Sequence, residues 1–289
     1  MAQQLASGDY HLKPMRVIQK ANGDTRALWD SDDAVVIHML TQYLTPRIPV
    51  HSRCEHVKGH GGGKASVQAL HQVITSTDAA FVYRTDIKGY YANINNQQLL
   101  EQLRPYVDDA IVLNLLYQFL HYSVEKSGVF HTPTKGIARS SALSPLLAAF
   151  HLYCIDEYFA SQTEGYYARY MDDFVILTRT RWSLKRAIRN LNQYLAAFGF
   201  NTHPDKTFIG RLHKGFDWMG FWFTHIGVTD VAPRALAKRV MTLRRLYEQI
   251  QNLPAAKQVE RMTSYHTRWE RWKNTVLLYS PVDVRHMLL

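Results

Sequence analysis

A chain of 289 residues, 46% of them hydrophobic, can bury a core as one large domain or as two to three smaller units. Its net charge of +10 at pH 7 indicates a polyanionic partner, most often nucleic acid, although a merely soluble basic protein would have the same balance. Nothing in the chain resembles a transmembrane span or a secretory signal, and its two cysteines cannot form a disulfide framework, so we expect no membrane contact and a cytoplasmic location.

The first half of the chain alternates strand patterns with helical patterns. Asn22-Gly23 is a strong hairpin signal, because both residues tolerate the left-handed turn conformation. The elements predicted in chain order are a hairpin over 11–29, helices over 32–44 and 65–74, a buried strand over 79–87, and helices over 96–107 and 111–122.

The second half predicts another hairpin and a largely helical C-terminal part. A long apolar helix over 143–159 opens at Ser144-Pro145, because proline suits the first helical turn. Alternation over 166–178 predicts a hairpin with two aspartates at its bend. The remaining elements are a helix over 184–198 ended by Gly199, a strand pair over 216–223, and helices after Pro233. This mixed order of strands and helices predicts the α+β class.

One helical segment concentrates positive charge, because five basic residues occur there with no acidic residue between them. These residues are Arg234, Lys238, Arg239, Arg244 and Arg245. Such a run favours contact with a nucleic-acid backbone, where each cation contributes salt-dependent affinity that is blind to base sequence.

Three aspartates stand in settings that suit hard divalent cations. Asp86 ends a predicted buried strand, and Asp172–Asp173 occupy a predicted hairpin bend. Nucleotidyl transfer uses two such cations, roughly 4 Å apart, and they prefer oxygen ligands brought together from different strands. Each aspartate alone is more often a cap or a solvated turn residue. Asp108–Asp109, for example, lies between two predicted helices and is interpreted as an N-cap.

The tetrad Tyr170–Asp173 (Tyr-Met-Asp-Asp), within its hairpin pattern, resembles the YxDD box of reverse transcriptases. Four further blocks in the correct order strengthen the resemblance. They are similar to the first catalytic block (84–94), the template- and nucleotide-positioning block (136–147), the later lysine block (203–207) and the primer-grip strand pair (216–221). The chain looks closer to bacterial, group-II-intron-like enzymes, a set with retron, diversity-generating and defence-associated members, than to retroviral ones.

The resemblance implies a right-hand polymerase fold with fingers over 1–73, palm over 74–223 and a short helical thumb over 224–289. It also implies an RNA-templated DNA polymerase that extends a DNA primer with dNTPs. We expect a dedicated structured RNA as template, in a retroelement, diversification or antiviral-defence system, and a protein partner stays open. Two alternatives remain. One is a polymerase fold kept for RNA binding or processing, and the other is an RNA-templated RNA polymerase or untemplated nucleotidyl transferase.

Catalytic roles follow from the same resemblance. Asp86 and Asp172 would bind two Mg²⁺ ions, or Mn²⁺, with Asp173 as a looser ligand and the carbonyl of Ile87 as a further one. Lys206 would protonate the leaving pyrophosphate, as general acids do. The alternative for Lys206 is a surface lysine at the end of a turn.

Four residues would contact the incoming nucleotide. Lys20 and Arg26 flank the Asn-Gly turn and would reach the triphosphate, or else are solvated. Tyr91 would lie beneath the sugar, where its ring collides with a 2′ hydroxyl, or else is a core tyrosine. Arg139 lies in the positioning block, which commonly carries Gln-Gly or Arg-Gly in this family. Here Ser140 adds a side chain where close backbone approach is expected.

The resemblance assigns primer contacts to the primer-grip turn, Trp218, Met219 and Gly220. The basic run 234–245 is expected to contact the duplex backbone because of its charge. A downstream stripe of mostly aromatic residues at helical spacing predicts core packing in the thumb, with base stacking as the alternative. The stripe comprises Met262, Tyr265, Trp269, Trp272 and Val276.

The segment 54–64 imitates two ligand-binding motifs. Cys54, His56 and His60 have the spacing of zinc ligands, but no second ligand pair follows, so no zinc site is expected. The glycine-rich stretch 58–64 does not match the Walker phosphate-binding pattern. We interpret it as a flexible loop near template or nucleotide.

Overall fold

The computed structural model describes residues 1–19, 25–163 and 165–277. The predicted turn at Asn22-Gly23 and Lys20 lie outside these ranges. Within them strands and helices are mixed along the chain, so the fold is α+β, as predicted. No helix in the described ranges has both the length and the apolar character needed to cross a membrane.

The helices range from one turn to 23 residues. They are α1 (Ala2–Ser7), α2 (Ser31–Leu44), α3 (Gly62–Ser76), α4 (Tyr90–Asn93), α5 (Asn96–Leu103), α6 (Ala110–Leu120), α7 (Leu143–His151), α8 (Tyr153–Ala160), α9 (Arg181–Ala197), α10 (Pro233–Ile250) and α11 (Ala255–Leu277). The strands are β1 (Met15–Gln19), β2 (Thr25–Leu28), β3 (Phe81–Asp86), β4 (Val124–Lys126), β5 (Val129–His131), β6 (Gly165–Tyr170), β7 (Asp173–Thr178), β8 (Phe208–Arg211), β9 (Phe216–Trp218), β10 (Phe221–Thr224) and β11 (Gly227–Val231).

The central sheet has the order β6-β7-β3-β8, and all its pairs are antiparallel. Because side chains alternate across a strand, it separates two cores. Tyr83 and Ile176 face the larger core, whereas Val82 and Val175 face a second core that includes residues of α3 and of β9 to β11. Burial on both faces explains the apolar runs 81–83 in β3 and 174–177 in β7.

A second sheet has the order β2-β1-β4-β5, with β1 parallel to β4. The β4–β5 hairpin was not predicted, because its strands have three residues each and Val129 and Phe130 are exposed. Residues 124–131 of the predicted palm thus join the N-terminal strands in one sheet. A third sheet, β11-β10-β9, crosses the predicted palm–thumb boundary at residue 223. The predicted domain boundaries themselves stay a prediction.

Two helix predictions need correction. The apolar segment 143–159 is not one helix, because Leu152 leaves helical geometry (φ −105°, ψ 17°) and α8 begins anew after it. The predicted helix over 96–107 ends at Leu103, and residues 104–106, with Pro105, form a 3₁₀ turn. The N-cap predicted at Asp108–Asp109 is confirmed at Asp109, which accepts hydrogen bonds from the amides of Ile111 and Val112 at the start of α6.

Candidate active site and nucleic-acid cleft

Three carboxylates meet at one end of the central sheet. Asp86 ends β3 and stands opposite Asp173 at the start of β7, because the two strands are antiparallel in that register. Asp172 occupies the tight turn between β6 and β7. One oxygen of each carboxylate lies within 4.8 Å of those of the other two. The structure therefore brings together the three aspartates that the sequence singled out.

Backbone hydrogen bonds hold this end of the sheet. The Ile87 amide donates to the Asp172 carbonyl at 3.0 Å, and the His203 amide donates to the Asp86 carbonyl at 2.7 Å. These bonds tie β3 both to the catalytic turn and to the segment that carries Lys206. The role of the Ile87 carbonyl as a metal ligand stays a prediction.

Two cations balance the acidic cluster. The Lys206 ammonium lies 2.9 Å from Asp86 Oδ2, and Arg84 Nη2 lies 2.9 Å from Asp173 Oδ1. Arg84 also donates to the carbonyl of Lys206 at 2.7 Å and lies 3.7 Å from Asp217. Arg84 was not predicted from the sequence, although the sequence carries a signal for it. It precedes Asp86 by two residues on one strand and therefore shares its face.

Burial and mutual repulsion of the three carboxylates favour the binding of a cation or a proton between them. Burial, and then the neighbouring Asp86 charge, raise the pKa of Asp172. Burial raises the pKa of Asp173 to about 6, although the Arg84 guanidinium opposes the rise. All three donors are carboxylate oxygens, which suit hard ions such as Mg²⁺ or Mn²⁺. The residues present therefore fit the divalent ions that the resemblance implies.

A pH dependence of stability follows from the raised pKa of Asp173. In metal-free protein, the native state keeps a proton that the unfolded chain, with the ordinary pKa of 3.8, releases between about pH 4 and 6. Because the native state binds more protons in that window, the free energy of unfolding attributable to Asp173 falls as pH rises. A pKa change from 3.8 to about 6 corresponds to at most about 3 kcal/mol.

Denaturant unfolding in EDTA, at several values from about pH 4 to 7, measures this effect. Asp173→Asn cannot titrate, so its stability relative to the wild-type protein is expected to rise across the window. A difference between the two proteins that stays constant with pH would show that Asp173 titrates normally.

Tyr91 is buried beside the cluster, on α4. Its hydroxyl finds no hydrogen-bond partner among the described residues, and burial, followed by the Asp172 charge, raises its pKa to about 12. The Arg139 guanidinium carbon lies 5.9 Å from the ring centroid. Gly136 lies directly against the backbone of α4. A Cβ at this position would lie only 2.9 Å from the carbonyl oxygens of Tyr91 and Ala92, so a side chain there would collide with them.

Ser140 and Arg26 contact each other. The Arg26 Nε donates to Ser140 Oγ at 2.8 Å, so the serine that departs from the family pattern hydrogen-bonds a basic residue of β2. This contact places Arg26, which is predicted to bind the triphosphate, against the nucleotide-positioning block. Lys20, its predicted companion, lies outside the described residues.

A cleft of about 550 Å³ opens from the acidic cluster towards the two C-terminal helices. Asp86, Asp173 and Lys206 line one side, and residues of α10 and α11 line the other. The predicted nucleic-acid-binding residues that line it are Met219, Gly220, Arg234, Lys238 and Arg239. The structure thus places five of the eight predicted contacts on one cleft with two of the three carboxylates, Asp86 and Asp173.

Three basic residues of α10, Arg239, Arg244 and Arg245, differ in their surroundings. Arg239 is held by α11, since its guanidinium lies 4.9 Å from the Trp269 ring centroid and 3.0 Å from His266. Arg245 lines an adjoining cavity of about 540 Å³ between α10 and α11, together with Arg261 and Arg268. Arg244 is exposed but lines neither space.

Trp218 corrects one prediction. Its side chain is fully buried, and its indole N–H donates to Ser66 Oγ at 2.8 Å. It therefore packs α3 onto the third sheet and cannot contact a primer, because alternation along β9 turns it inwards. The core assignment of the aromatic stripe agrees with the structure at Trp272, whose ring lies 4.6 Å from that of Phe221.

A buried ion pair supports the strand that precedes the catalytic turn. Arg169 and Asp156 are both fully buried, with Nη2 and Oδ2 2.5 Å apart and Nε and Oδ1 2.7 Å apart. Tyr167 donates its hydroxyl to the same carboxylate at 2.6 Å. This pair was not predicted from the sequence. Asp156 lies with Glu157 in a largely apolar segment, where acidic residues are themselves a signal.

Comparison with known proteins gives sequence relatives in bacteria and yeast. Protein YkfC of Escherichia coli is 23% identical over 274 residues, which cover 75% of this chain and 68% of that protein. The putative COX1/OXI3 intron 1 protein of Saccharomyces cerevisiae is 22% identical over 164 residues, which cover 55% of this chain. The match spans only 20% of the length of that yeast protein.

Solved structures share the fold at low sequence identity. Telomerase from Candida albicans, in complex with a TWJ fragment of telomeric RNA, has a TM-score of 0.56 and 12% identity. That match covers 98% of this chain and 57% of the telomerase chain. Apo telomerase from Candida tropicalis without its C-terminal domain has a TM-score of 0.54 at 12% identity, and the match covers 75% of this chain and 54% of that one.

The family model described as reverse transcriptase (RNA-dependent DNA polymerase) matches residues 16–223, which is well over half of the chain. The match includes the three carboxylates, Lys206 and the strand pair at the cleft. The chain therefore belongs to the reverse transcriptase family and has the right-hand polymerase fold.

Proposed function

We propose that this protein is an active RNA-templated DNA polymerase that extends a DNA primer with dNTPs. The observation that carries the proposal is the convergence of Asp86, Asp172 and Asp173 within 4.8 Å, beside a cleft that Asp86 and Asp173 line together with basic residues. These aspartates would hold two Mg²⁺ ions, or Mn²⁺, with the carbonyl of Ile87. Bound there, such ions activate the primer 3′ hydroxyl and neutralise the leaving pyrophosphate.

The chain's own residues supply orientation and a proton. Lys206, 2.9 Å from Asp86, carries an ammonium proton beside the reacting phosphates and donates it to the leaving pyrophosphate. Arg26 and Arg139, with Lys20, bind the triphosphate. Charge-assisted contacts of this kind align the nucleotide before reaction.

The cleft supports assignments for the nucleic acid. The turn at Met219-Gly220 binds the primer end, while Arg234 and Lys238 bind the duplex backbone across the cleft. We further propose that the template is a dedicated structured RNA, copied in the cytoplasm for a retroelement, diversification or defence system. Sequencing of RNA recovered with the protein from cells tests this, and a random sample of transcripts would contradict it.

Primer extension tests the proposed activity directly. Purified protein is incubated with an RNA template, an annealed DNA primer, Mg²⁺ and either dNTPs or ribonucleotides. Template-length DNA made from dNTPs is the expected result. Preferential extension with ribonucleotides would favour an RNA polymerase instead. Binding of the template–primer without extension would favour a polymerase fold kept for RNA binding.

Sugar discrimination is expected to depend on the ring of Tyr91. Tyr91→Ala removes the steric block to a 2′ hydroxyl and should lower the preference for dNTPs by roughly 10- to 100-fold. Tyr91→Phe keeps the ring and loses only a hydroxyl without a described partner, so it should retain the wild-type preference. Single-nucleotide incorporation kinetics, on variants whose thermal unfolding has been checked, measure the ratio. An unchanged ratio in Tyr91→Ala would remove Tyr91 from this role.

A further inference from the structure

The loop between α2 and α3 adds itself to the edge of the catalytic hairpin. Cys54 forms a parallel bridge with Arg169 of β6. The Arg169 amide donates to the Arg53 carbonyl at 2.8 Å, and the Glu55 amide donates to the Arg169 carbonyl at 2.9 Å. The next residue of the loop, His56, is thereby carried to the turn that holds Asp172.

His56 bridges two blocks of the active site. Its Nδ1 accepts the Met171 amide at 3.0 Å, and its Nε2 lies 3.2 Å from the carbonyl oxygen of Pro145, in the first turn of α7. An amide can only donate, so Nδ1 is unprotonated and Nε2 carries the hydrogen that is donated to Pro145. The Cys54 thiol, 3.4 Å from Nδ1, adds a weak donor to the same nitrogen.

Met171 needs such support, because its backbone is strained. Its φ is 57°, in the left-handed region that a residue with a side chain seldom adopts. Strain of this kind persists where the surrounding structure fixes the residue from several sides. Here His56 accepts the Met171 amide, and the Arg169 guanidinium donates to the Met171 carbonyl at 3.0 Å. Both polar groups of the residue before Asp172 are therefore held by side chains.

We propose that His56 is a positioning residue, which holds the metal-binding turn through Met171 and fixes it to the nucleotide-positioning helix through Pro145. This inference rests on the proposed polymerase function, because that function gives the turn its metal ions. Among the three residues with zinc-like spacing, Cys54, His56 and His60, His56 thus has a structural role that involves no zinc.

Two conservative variants separate the two bonds. Asparagine places its amide oxygen near the position of Nδ1, so His56→Asn keeps an acceptor for Met171 but cannot reach Pro145. Glutamine places its amide nitrogen near the position of Nε2, so His56→Gln keeps the donor to Pro145 and loses the acceptor for Met171. His56→Ala loses both bonds.

His51→Ala is the matched control. His51 belongs to the same loop, and its Nδ1 accepts a backbone amide, that of Arg53, at 3.0 Å. His51→Ala therefore loses the same kind of bond as His56→Ala, but at a point of the loop that does not touch the turn of Asp172.

Mn²⁺ titration followed by electron paramagnetic resonance measures metal binding without any polymerisation. His56→Gln and His56→Ala are expected to bind Mn²⁺ roughly 10- to 100-fold more weakly than the wild-type protein. His56→Asn and His51→Ala should bind it nearly as well as the wild-type protein does. In primer extension, His56→Asn should instead raise the KM for dNTPs, because α7 is released from the turn.

Several results would overturn the inference. Wild-type Mn²⁺ affinity in His56→Gln would do so, as would a loss of affinity in all variants that simply follows their thermal midpoints. Failure of His56→Asn to fold would also reject it, in favour of a purely structural role. Wild-type protein that binds Mn²⁺ but never extends a primer would instead contradict the proposed function, and the order of Mn²⁺ affinities would still judge His56.

Discussion

Replacing Asp172 with asparagine is expected to slow primer extension about a thousandfold or more. The substitution keeps the size of the side chain but removes one of three negative charges that lie within 4.8 Å of one another. Divalent ions held by these charges would lower the barrier by several kcal/mol, and each 1.36 kcal/mol corresponds to about tenfold in rate. Single-turnover extension of an RNA–DNA template–primer, at saturating Mg²⁺ and dNTPs, is the measurement.

Asp108→Asn is the matched control for this prediction. It removes the same charge from another Asp-Asp pair of the chain, which is exposed ahead of α6. Its rate should equal that of the wild-type protein, and both variants should unfold at nearly the wild-type temperature. Extension by Asp172→Asn at more than about a tenth of the wild-type rate would mean that Asp172 does not bind an essential ion.

Removing Asp156 is expected to destabilise the fold by about 3 to 5 kcal/mol. In Asp156→Ala the fully buried Arg169 keeps its charge but loses the carboxylate that contacts both Nε and Nη2. The Tyr167 hydroxyl loses its acceptor as well. A buried charge without a counter-ion costs far more than the pair itself contributes, so the loss should exceed that of an ordinary surface substitution.

Urea denaturation at pH 7 measures the effect, and Asp78→Ala provides the comparison. Asp78 forms a pair with Arg179 at 2.5 Å, but about two thirds of each side chain is exposed. That pair should contribute less than about 1 kcal/mol, because water screens it. Equal losses in the two variants would contradict the view that burial makes the Arg169–Asp156 pair critical.

The two results would also be distinguishable in mechanism. Asp172→Asn should remove activity from a stable protein, whereas Asp156→Ala should lower stability. Arg169 also holds the carbonyl of Met171, so loosening it should disturb the turn that carries Asp172. Activity measured well below the unfolding transition separates this local disturbance of the turn from a loss of folded protein.

The clustering of Asp86 with Asp172 and Asp173 could be predicted from the sequence because the setting of each aspartate is local. A strand that ends in Asp86 and a hairpin bent at Asp172 follow from apolar periodicity and turn chemistry, and the resemblance supplied the pairing between them. The same reason explains why four predicted nucleic-acid-binding residues do line the cleft, namely Met219, Gly220, Arg234 and Lys238. Each follows a strand or lies on a helix whose direction the pattern already defined.

Trp218 and Ser140 show where local patterns fail. Trp218 lies in the predicted primer-grip strand, but which face of that strand turns inwards depends on α3, whose Ser66 is 152 residues away in the chain. Ser140 looked like a departure that crowds the site, yet it accepts a hydrogen bond from Arg26, 114 residues away. Neither partner can be inferred without the fold.

By itself, the sequence of this protein determined the α+β class, the order of most elements and the three candidate acidic site residues, because periodicity, turn residues and short motifs act over a few residues. Only the tertiary structure decided that Arg84 and Lys206 balance the carboxylates, that Arg169 pairs with Asp156, and that His56 accepts the Met171 amide. These contacts join segments far apart in the chain. Their existence depends on strand register and helix packing, which the whole folded chain sets together.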